Sequence, residues 1–238
     1  MKSATKLYYI QFFLLVQLIG ILSCKKMFSQ EYKYEIGGMA GMSMYMGDAN
    51  NNSFFKGWHP AGGLIFRKNS NFRWAIKGNL LFGKVGGSTQ GMDNVFPENG
   101  QSQFDRNFYE LGGQMEFNFL PYSDKFAYLQ TSRLSPYLLA GLGFTIAPGE
   151  NQTFAGLNFP LGVGMKYKLK NRINLGAEYS FRKLFGDGFD APNKDGFNLN
   201  DPYGLGGSSL KNNDWYSIFM FSLTWDFGPN NRKCTNIE

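Results

Sequence analysis

Six charged residues lie in long segments that otherwise alternate apolar with small or polar side chains. They are Lys77, Glu110, Glu116, Lys166, Glu178 and Arg182. A carboxylate pair such as Glu110 and Glu116 could act as general acid and base. Charges of mixed sign on one face could instead pair with one another inside a protein. Because the pattern implies no substrate cleft, we interpret the six as a structural polar network that fills a protein interior.

Nucleophilic catalysis has little support in the sequence. An enzyme such as a lipid-A deacylase or a protease typically needs a histidine base, and the chain contains one histidine, His59, beside Pro60. No trio of serine, histidine and acid can be placed from the spacing. We therefore expect no enzymatic activity, no catalytic, cofactor-binding or metal-binding residues, and no small-molecule substrate.

Thiol chemistry is the remaining candidate. The chain has two cysteines, and Cys24 lies in a segment that we expect to be removed or lipidated, which leaves Cys234 as the only free thiol. An odd cysteine in an exported protein suggests an intermolecular bridge or a reactive thiol. The neighbouring Arg232 and Lys233 favour the reactive thiolate. Cys234 is therefore a candidate for an intermolecular disulfide.

The segment from 157 to 185 has the clearest periodicity of the chain. Residues 157–169 place a large apolar side chain at every odd position, and after a turn at 170–172 the segment 173–185 repeats the rule with one interruption, at Lys183. Because side chains alternate between faces along a strand, this is a predicted β-hairpin with one apolar and one polar face. Each arm has 13 residues, whereas a tilted strand needs about 9 to 11 to cross a bilayer.

The same alternation predicts six further strands. They cover 34–47, 61–68, 72–85, a segment around 109–119, 136–147 and 214–227. Eight strands predict an all-β fold, an eight-stranded antiparallel transmembrane β-barrel of the outer-membrane type. Such a barrel has an interior that side chains can fill, so solute transport is not expected. The connections at 69–71, 120–135 and 170–172 would be periplasmic, and the four longer loops extracellular.

The first 29 residues have the features of a signal peptide. Lys2 and Lys6 precede an apolar core at 7–22, and the small Ser29 suits a cleavage site. A lipobox-like Ile21-Leu22-Ser23-Cys24 leaves lipidation of Cys24 as the alternative. Loss of the four lysines of this segment lowers the formal net charge from +6 to +2. No basic stripe then remains to bind nucleic acid.

Three regions follow from these features. They are a signal peptide at 1–29, an outer-membrane barrel at 30–227 and a tail at 228–238. An even number of strands places the N- and C-termini on the same side, which we expect to be the periplasm of a cell with an outer membrane.

The connection at 121–135 is much longer than turns on this side of a barrel normally are. It mixes aromatic residues with cations, which is the composition of an interface core. A loop folded over the barrel mouth is the alternative. The candidate docking residues are Tyr122, Lys125, Phe126, Tyr128 and Arg133.

Several short motifs, taken in order, resemble one family. They are Glu35-x-Gly37, Tyr45-x-Gly47-Asp48, Pro136-Tyr137-x-x-Ala140-Gly141-x-Gly143, Pro160-x-Gly162-x-Gly164-x-Lys166-Tyr167 and Gly176-x-Glu178-Tyr179-x-x-Arg182-Lys183-x-Phe185. Together they resemble the PorG family, the small outer-membrane barrels of the type IX (Por) secretion system of Bacteroidetes, over nearly the whole mature chain.

The resemblance implies a non-enzymatic part of a protein secretion machine. Its expected partners are outer-membrane lipid and a periplasmic ring built from a lipoprotein and an associated ring protein, which the barrel would anchor to the outer membrane. The family has no catalytic residues to carry over. The alternative is a small surface barrel for adhesion or envelope integrity, whose determinants would lie in the polar, glycine-rich extracellular loops.

Overall fold

Eight antiparallel strands form a closed barrel. The computed structural model describes residues 33–46, 57–88, 103–124, 130–149, 153–170, 172–186, 189 and 214–228. The strands are β1 (Tyr34–Met46), β2 (His59–Asn69), β3 (Trp74–Ser88), β4 (Gln103–Asn118), β5 (Leu134–Ala147), β6 (Phe154–Lys170), β7 (Ile173–Phe185) and β8 (Trp215–Phe227). Each strand pairs with the next, and β1 pairs with β8. The predicted eight-stranded antiparallel barrel is confirmed.

The largest differences from the predicted bounds lie between β3 and β4. Their ladder continues to the pair Ser88 and Gln103, through Gly86 and Gly87. We predicted that this glycine-rich stretch belonged to a loop. Glycine has no side chain to mark a face, so the alternation is invisible there although the backbone still pairs.

The barrel has its apolar side chains outside and its charges inside. Leu111 is 65% exposed and Leu142 63%, whereas Arg182 is 1% exposed. A water-soluble protein would not leave a continuous belt of large apolar side chains uncovered, but hydrocarbon solvates it. The outward belt of exposed apolar residues includes Ile36, Leu64, Ile76, Leu80, Phe82, Leu138, Leu161, Val163, Phe221 and Leu223. The chain is a small outer-membrane type barrel.

The outward positions predicted for the alternating strands are confirmed, with one exception. Met44, at an outward position of β1, is only 1% exposed. Among the described residues, no helix has the length and hydropathy of a membrane span.

Backbone hydrogen bonds bring three of the connections together at one end of the barrel. Asn69 donates to Lys33 at 2.9 Å, Tyr122 to Phe72 at 3.1 Å, and Asp226 to Arg172 at 2.7 Å. We call this the turn end, and it holds the start of β1, the end of β8 and the connections 70–73, 119–133 and 171–172. The opposite end, the loop end, receives the segments 47–58, 89–102, 148–153 and 186–214.

The tight turn between β2 and β3 is closed by Asn71. Its Oδ1 accepts the backbone N–H groups of Arg73 at 2.8 Å and of Trp74 at 2.7 Å. Asparagine favours turns because its side chain can replace a backbone acceptor in this way. The turn therefore includes 72–73, and β3 begins two residues later than predicted.

The assignment of faces can be tested at Val163, which is 54% exposed at an outward position of β6. We expect Val163→Arg to destabilise the barrel by about 2 to 4 kcal/mol, because arginine is costly near the bilayer midplane. Val163→Leu is the matched control and should fold as the wild type does. The measurement is the heat-dependent shift in gel migration after refolding into lipid. Equal folding of both variants would contradict the assignment.

Candidate functional site: the charged interior and the turn-end closure

Glu116 of β4 is the centre of a buried ion-pair cluster. It is 0% exposed, and it contacts cations from three other strands. Arg67 Nε of β2 lies 2.8 Å from one carboxylate oxygen, and Lys77 Nζ of β3 lies 3.6 Å from the other. Lys166 of β6 forms a third ion pair with it. Arg67 also pairs with Glu35 of β1. One carboxylate thus links β2, β3 and β6 across the barrel interior.

A second cluster surrounds Glu178 of β7. Lys77 Nζ lies 2.5 Å from its carboxylate, and the Tyr137 hydroxyl donates to the same oxygen at 2.9 Å. Lys166 Nζ is 4.6 Å from the centre of the Tyr137 ring, a cation–π distance. Because Lys77 contacts both Glu116 and Glu178, the two clusters are one network.

Glu110 belongs to a third cluster, nearer the loop end. Arg182 Nε pairs with it at 3.0 Å, the Tyr216 hydroxyl donates to it at 2.6 Å, and Asn79 Nδ2 donates at 3.0 Å. Glu110 and Glu116, which could have formed an acid–base pair, therefore hold separate sets of partners. Carboxylates fixed by buried cations suit a structural network better than proton exchange with a substrate.

The structure places all six predicted lumen residues inside the barrel and joins them in ion pairs. Sequence reasoning missed further members, chiefly Glu35, Arg67, Lys168 and Asp226. Among the described residues, the charges that face the barrel interior balance in sign. The cations are Arg67, Lys77, Arg106, Lys166, Lys168 and Arg182, and the anions are Glu35, Glu110, Glu116, Glu178, Asp214 and Asp226.

Tyr122 closes the barrel at the turn end. Its hydroxyl donates to Asn174 Oδ1 at 2.8 Å, and Lys168 Nζ lies 5.5 Å from the centre of its ring. Asn174 and Lys168 both bind Asp226, at 2.6 and 2.7 Å. Burial raises the pKa of the Tyr122 hydroxyl, so it remains a donor at every physiological pH.

Tyr122 is therefore not a surface docking residue, and that part of the prediction is wrong. The side chain is only 9% exposed, and it points into the mouth because an apolar ring with a hydroxyl suits a polar, occluded end. Of the other docking candidates, Arg133 is exposed at the turn end. Lys125, Phe126 and Tyr128 lie outside the described residues, as do the signal peptide, Cys24 and Cys234.

Hydrogen bonds hold together the two ends of the 119–133 connection, residues 121–123 and Ser132, which we call its stem. Tyr122 and Ser132 form a parallel bridge. Ser123 donates to the Ser132 carbonyl at 3.1 Å, and Ser132 donates to the Pro121 carbonyl at 2.8 Å. The two ends of the connection are thus held together beside the barrel mouth.

Aromatic side chains fill the interior towards the loop end. Phe189, from the segment after β7, is 0% exposed and stacks on Tyr216 with ring centres 5.3 Å apart. It meets Phe154 edge to face at 5.5 Å, and its N–H donates to Asp214 at 3.1 Å. Side chains therefore occupy the barrel at this end too, whereas Tyr122 occupies the turn end.

His59 begins β2 at the loop end, where its carbonyl accepts a hydrogen bond from Ser43 at 3.4 Å. Among the described residues, no group of three histidine, cysteine, aspartate or glutamate side chains could hold a metal ion.

Gly164 makes room for Tyr137. The two residues are paired across β5 and β6, and a Cβ at 164 would collide with the Tyr137 ring. We expect Gly164→Ala to lower the free energy of unfolding by about 1 to 3 kcal/mol, since overpacking would displace the ring and its bond to Glu178. Gly113→Ala is the matched control because a Cβ there meets nothing within 4 Å. Urea unfolding in detergent micelles measures both, and equal midpoints would contradict the packing role.

Three solved outer-membrane proteins are similar to this chain. The attachment invasion locus protein Ail of Yersinia pestis is 14% identical, with TM-score 0.43, covering 83% of this chain and 100% of its own. Neisserial surface protein A is 14% identical, with TM-score 0.49, covering 82% and 97%. OprG of Pseudomonas aeruginosa is 11% identical, with TM-score 0.44, covering 84% and 98%.

No functionally curated protein matches the sequence. Residues 12–236 match the family model described as "Domain of unknown function (DUF6089)".

Proposed function

The chain belongs to the DUF6089 family, and we propose that this member is a non-enzymatic outer-membrane platform of the type IX protein secretion machine, which docks a periplasmic ring. The pinned stem of the 119–133 connection carries the proposal. It holds the two ends of the segment 124–131 in fixed positions, and a segment with fixed ends loses less entropy on binding than a free chain.

Two further observations support a platform rather than a conduit. The interior holds a charge-balanced network, with Tyr122 at one end and Phe189 towards the other. Eight-stranded barrels have interiors that side chains can fill. The resemblance of the motifs to the PorG family is the reason for naming this secretion machine, and for naming the ring lipoprotein and its associated ring protein as the partners.

The proposal orients the turn end towards the periplasm. Short connections are the rule on the periplasmic side of outer-membrane barrels and longer loops on the other. In this orientation 124–131 and the tail after Phe227 face the ring. Labelling of single cysteines at positions 71 and 93 with an impermeant maleimide in intact cells distinguishes the two orientations.

Crosslinking in native outer membranes followed by affinity purification of this chain tests the proposal. Recovery of the periplasmic ring lipoprotein and its partner would support it. Recovery of lipid or host surface ligands alone would contradict it, and would favour the alternative of a small barrel for adhesion or envelope integrity.

Cys234 supplies a separate prediction about the same contact. We expect a disulfide between Cys234 and the ring lipoprotein, because the periplasm is oxidising and the exported chain has no second thiol once Cys24 is removed or lipidated. A non-reducing gel of membranes with thiols blocked before lysis should show a high-mass band. The band should collapse with reductant and be missing in Cys234→Ser. Monomer alone in both lanes would exclude the covalent link.

A further inference from the structure

The two ends of the barrel differ in charge. Among the described residues, the exposed cations at the turn end are Lys33, Lys68, Arg73, Arg133 and Arg172. The only acid in the sequence of the turn-end connections 70–73, 119–133 and 171–172 is Asp124. The segments that join strands at the loop end hold three lysines and nine acids, Asp48, Asp93, Glu98, Glu150, Asp187, Asp190, Asp195, Asp201 and Asp214.

The described acids inside the turn end are held by interior cations. Glu35 is paired with Arg67, Glu116 with Arg67 and Lys166, and Asp226 with Lys168. The interior is balanced within itself, so the excess positive charge of the turn end faces outwards.

The exposed cations lie beside a cluster of outward aromatic rings, and this position indicates which kind of ligand they can bind. Tyr34, Phe66, Trp225 and Phe227 form a cluster of outward rings at the turn end, with ring centres 5.7 to 6.2 Å apart between contacting pairs. Aromatic girdles lie at the boundary between hydrocarbon and headgroups. The Arg172 guanidinium lies 5.9 Å from the Trp225 ring centre, and Lys33 Nζ 5.8 Å from that of Tyr34.

Two further cations lie on the same outward side. Lys68 follows Phe66 on β2 with the same facing, since side chains two residues apart share a face. Arg73 donates to the carbonyl of Phe119, whose outward ring is 47% exposed. Long basic side chains at this depth extend from the apolar belt to the phosphate layer.

We propose that the turn-end cations form a binding rim for the phosphate groups of anionic phospholipids. Phosphates at the level of the girdle are the anions that Lys33, Lys68, Arg73 and Arg172 can reach from the outward side of the wall. An acidic protein docked across the barrel mouth would instead approach along the barrel axis. The rim goes beyond the proposed docking function, and it does not depend on which partner the 119–133 connection binds.

Spin-labelled lipid tests the rim. The full chain is reconstituted in phosphatidylcholine vesicles with trace spin-labelled phosphatidylglycerol or phosphatidylcholine, and electron paramagnetic resonance gives their relative association with the protein. We expect wild type to prefer phosphatidylglycerol, and the preference to vanish near 1 M salt, where the Debye length is about 3 Å. One basic residue near an anionic surface increases the association constant roughly fivefold.

Two double variants with the same change in net charge form the control. Lys68→Gln with Arg172→Gln removes two turn-end cations. The preference for phosphatidylglycerol, averaged over the lipids that contact the protein, should fall at least about twofold. Lys84→Gln with Lys183→Gln removes two loop-end cations. Lys183 Nζ lies 5.4 Å from the ring centre of Trp215, a contact of the same kind as that of Arg172 with Trp225. The loop-end variant should keep the wild-type preference.

Heat-dependent gel migration verifies that both variants fold before they are compared. Equal association of the two lipids with wild type would overturn the proposal. So would an equal loss of preference in the two double variants, since the effect would then follow net charge and not the rim. A partner with an acidic surface would become the explanation of the turn-end charge.

Discussion

Glu116→Gln is expected to lower the free energy of unfolding of the barrel by about 3 to 5 kcal/mol. The change removes the negative charge that Arg67, Lys77 and Lys166 share, and leaves those cations in the interior with too few anions. Removing one partner of a buried ion pair is costly because the remaining charge stays desolvated. Urea unfolding in detergent, followed by tryptophan fluorescence, measures the loss.

Asp105→Asn is the matched control. It breaks the pair of Asp105 with Lys84, at 2.5 Å, whose side chains are 38% and 43% exposed. Exposed pairs contribute about 0 to 1 kcal/mol, so the midpoint should hardly move. Similar losses in Glu116→Gln and Asp105→Asn would show that the interior network does not stabilise the barrel.

Replacement of residues 124–131 by a glycine–serine linker of equal length is expected to abolish secretion while the barrel still folds. Equal length matters because Tyr122 and Ser132 pair in parallel, and a two-residue turn cannot join strands that run in the same direction. The variant keeps Tyr122 in the mouth and keeps the stem hydrogen bonds of Ser123 and Ser132. It removes only the side chains that the stem presents. Assays are the export of cargo and recovery of ring proteins on the purified barrel.

The control makes the same glycine–serine replacement in residues 91–98, at the loop end. If the turn-end segment docks the ring, this variant should secrete normally. Normal secretion by the 124–131 variant would remove the docking hypothesis. Loss of secretion in both variants, with folding intact, would contradict a specific role for the turn end.

The sequence predicts the barrel well because a period of two is a local property. The strands β4, β6 and β7 alternate so strictly that their faces, and hence the interior placement of Glu110, Glu116, Lys166, Glu178 and Arg182, follow from parity alone. The same parity puts Glu35 and Lys168 on polar faces, although neither is among the six residues predicted for the network. Parity cannot predict which charges pair across the barrel. That pairing depends on the shear of the barrel, which is the stagger between neighbouring strands.

Tyr122 shows the other limit. Outside a strand no period fixes a direction, and an aromatic residue among cations suits either a partner or a closed mouth. The choice depends on Asn174, Lys168 and Asp226, which lie more than 40 residues away in sequence and meet Tyr122 only after the barrel has formed.

The long-range pairing of the interior has a consequence for biogenesis. Glu35 on β1 receives hydrogen bonds from Arg67 on β2 and from Thr224 on β8, which is 189 residues away. Arg67 also forms an ion pair with Glu116 on β4, and Glu116 forms one with Lys166 on β6. A nascent barrel that lacks its last strands would carry these charges into hydrocarbon with their partners missing, at a cost of several kcal/mol each. Insertion should therefore be cooperative, so that chains truncated before β6, which lack Lys166 as a partner for Glu116, remain in the periplasm as substrates for proteolysis.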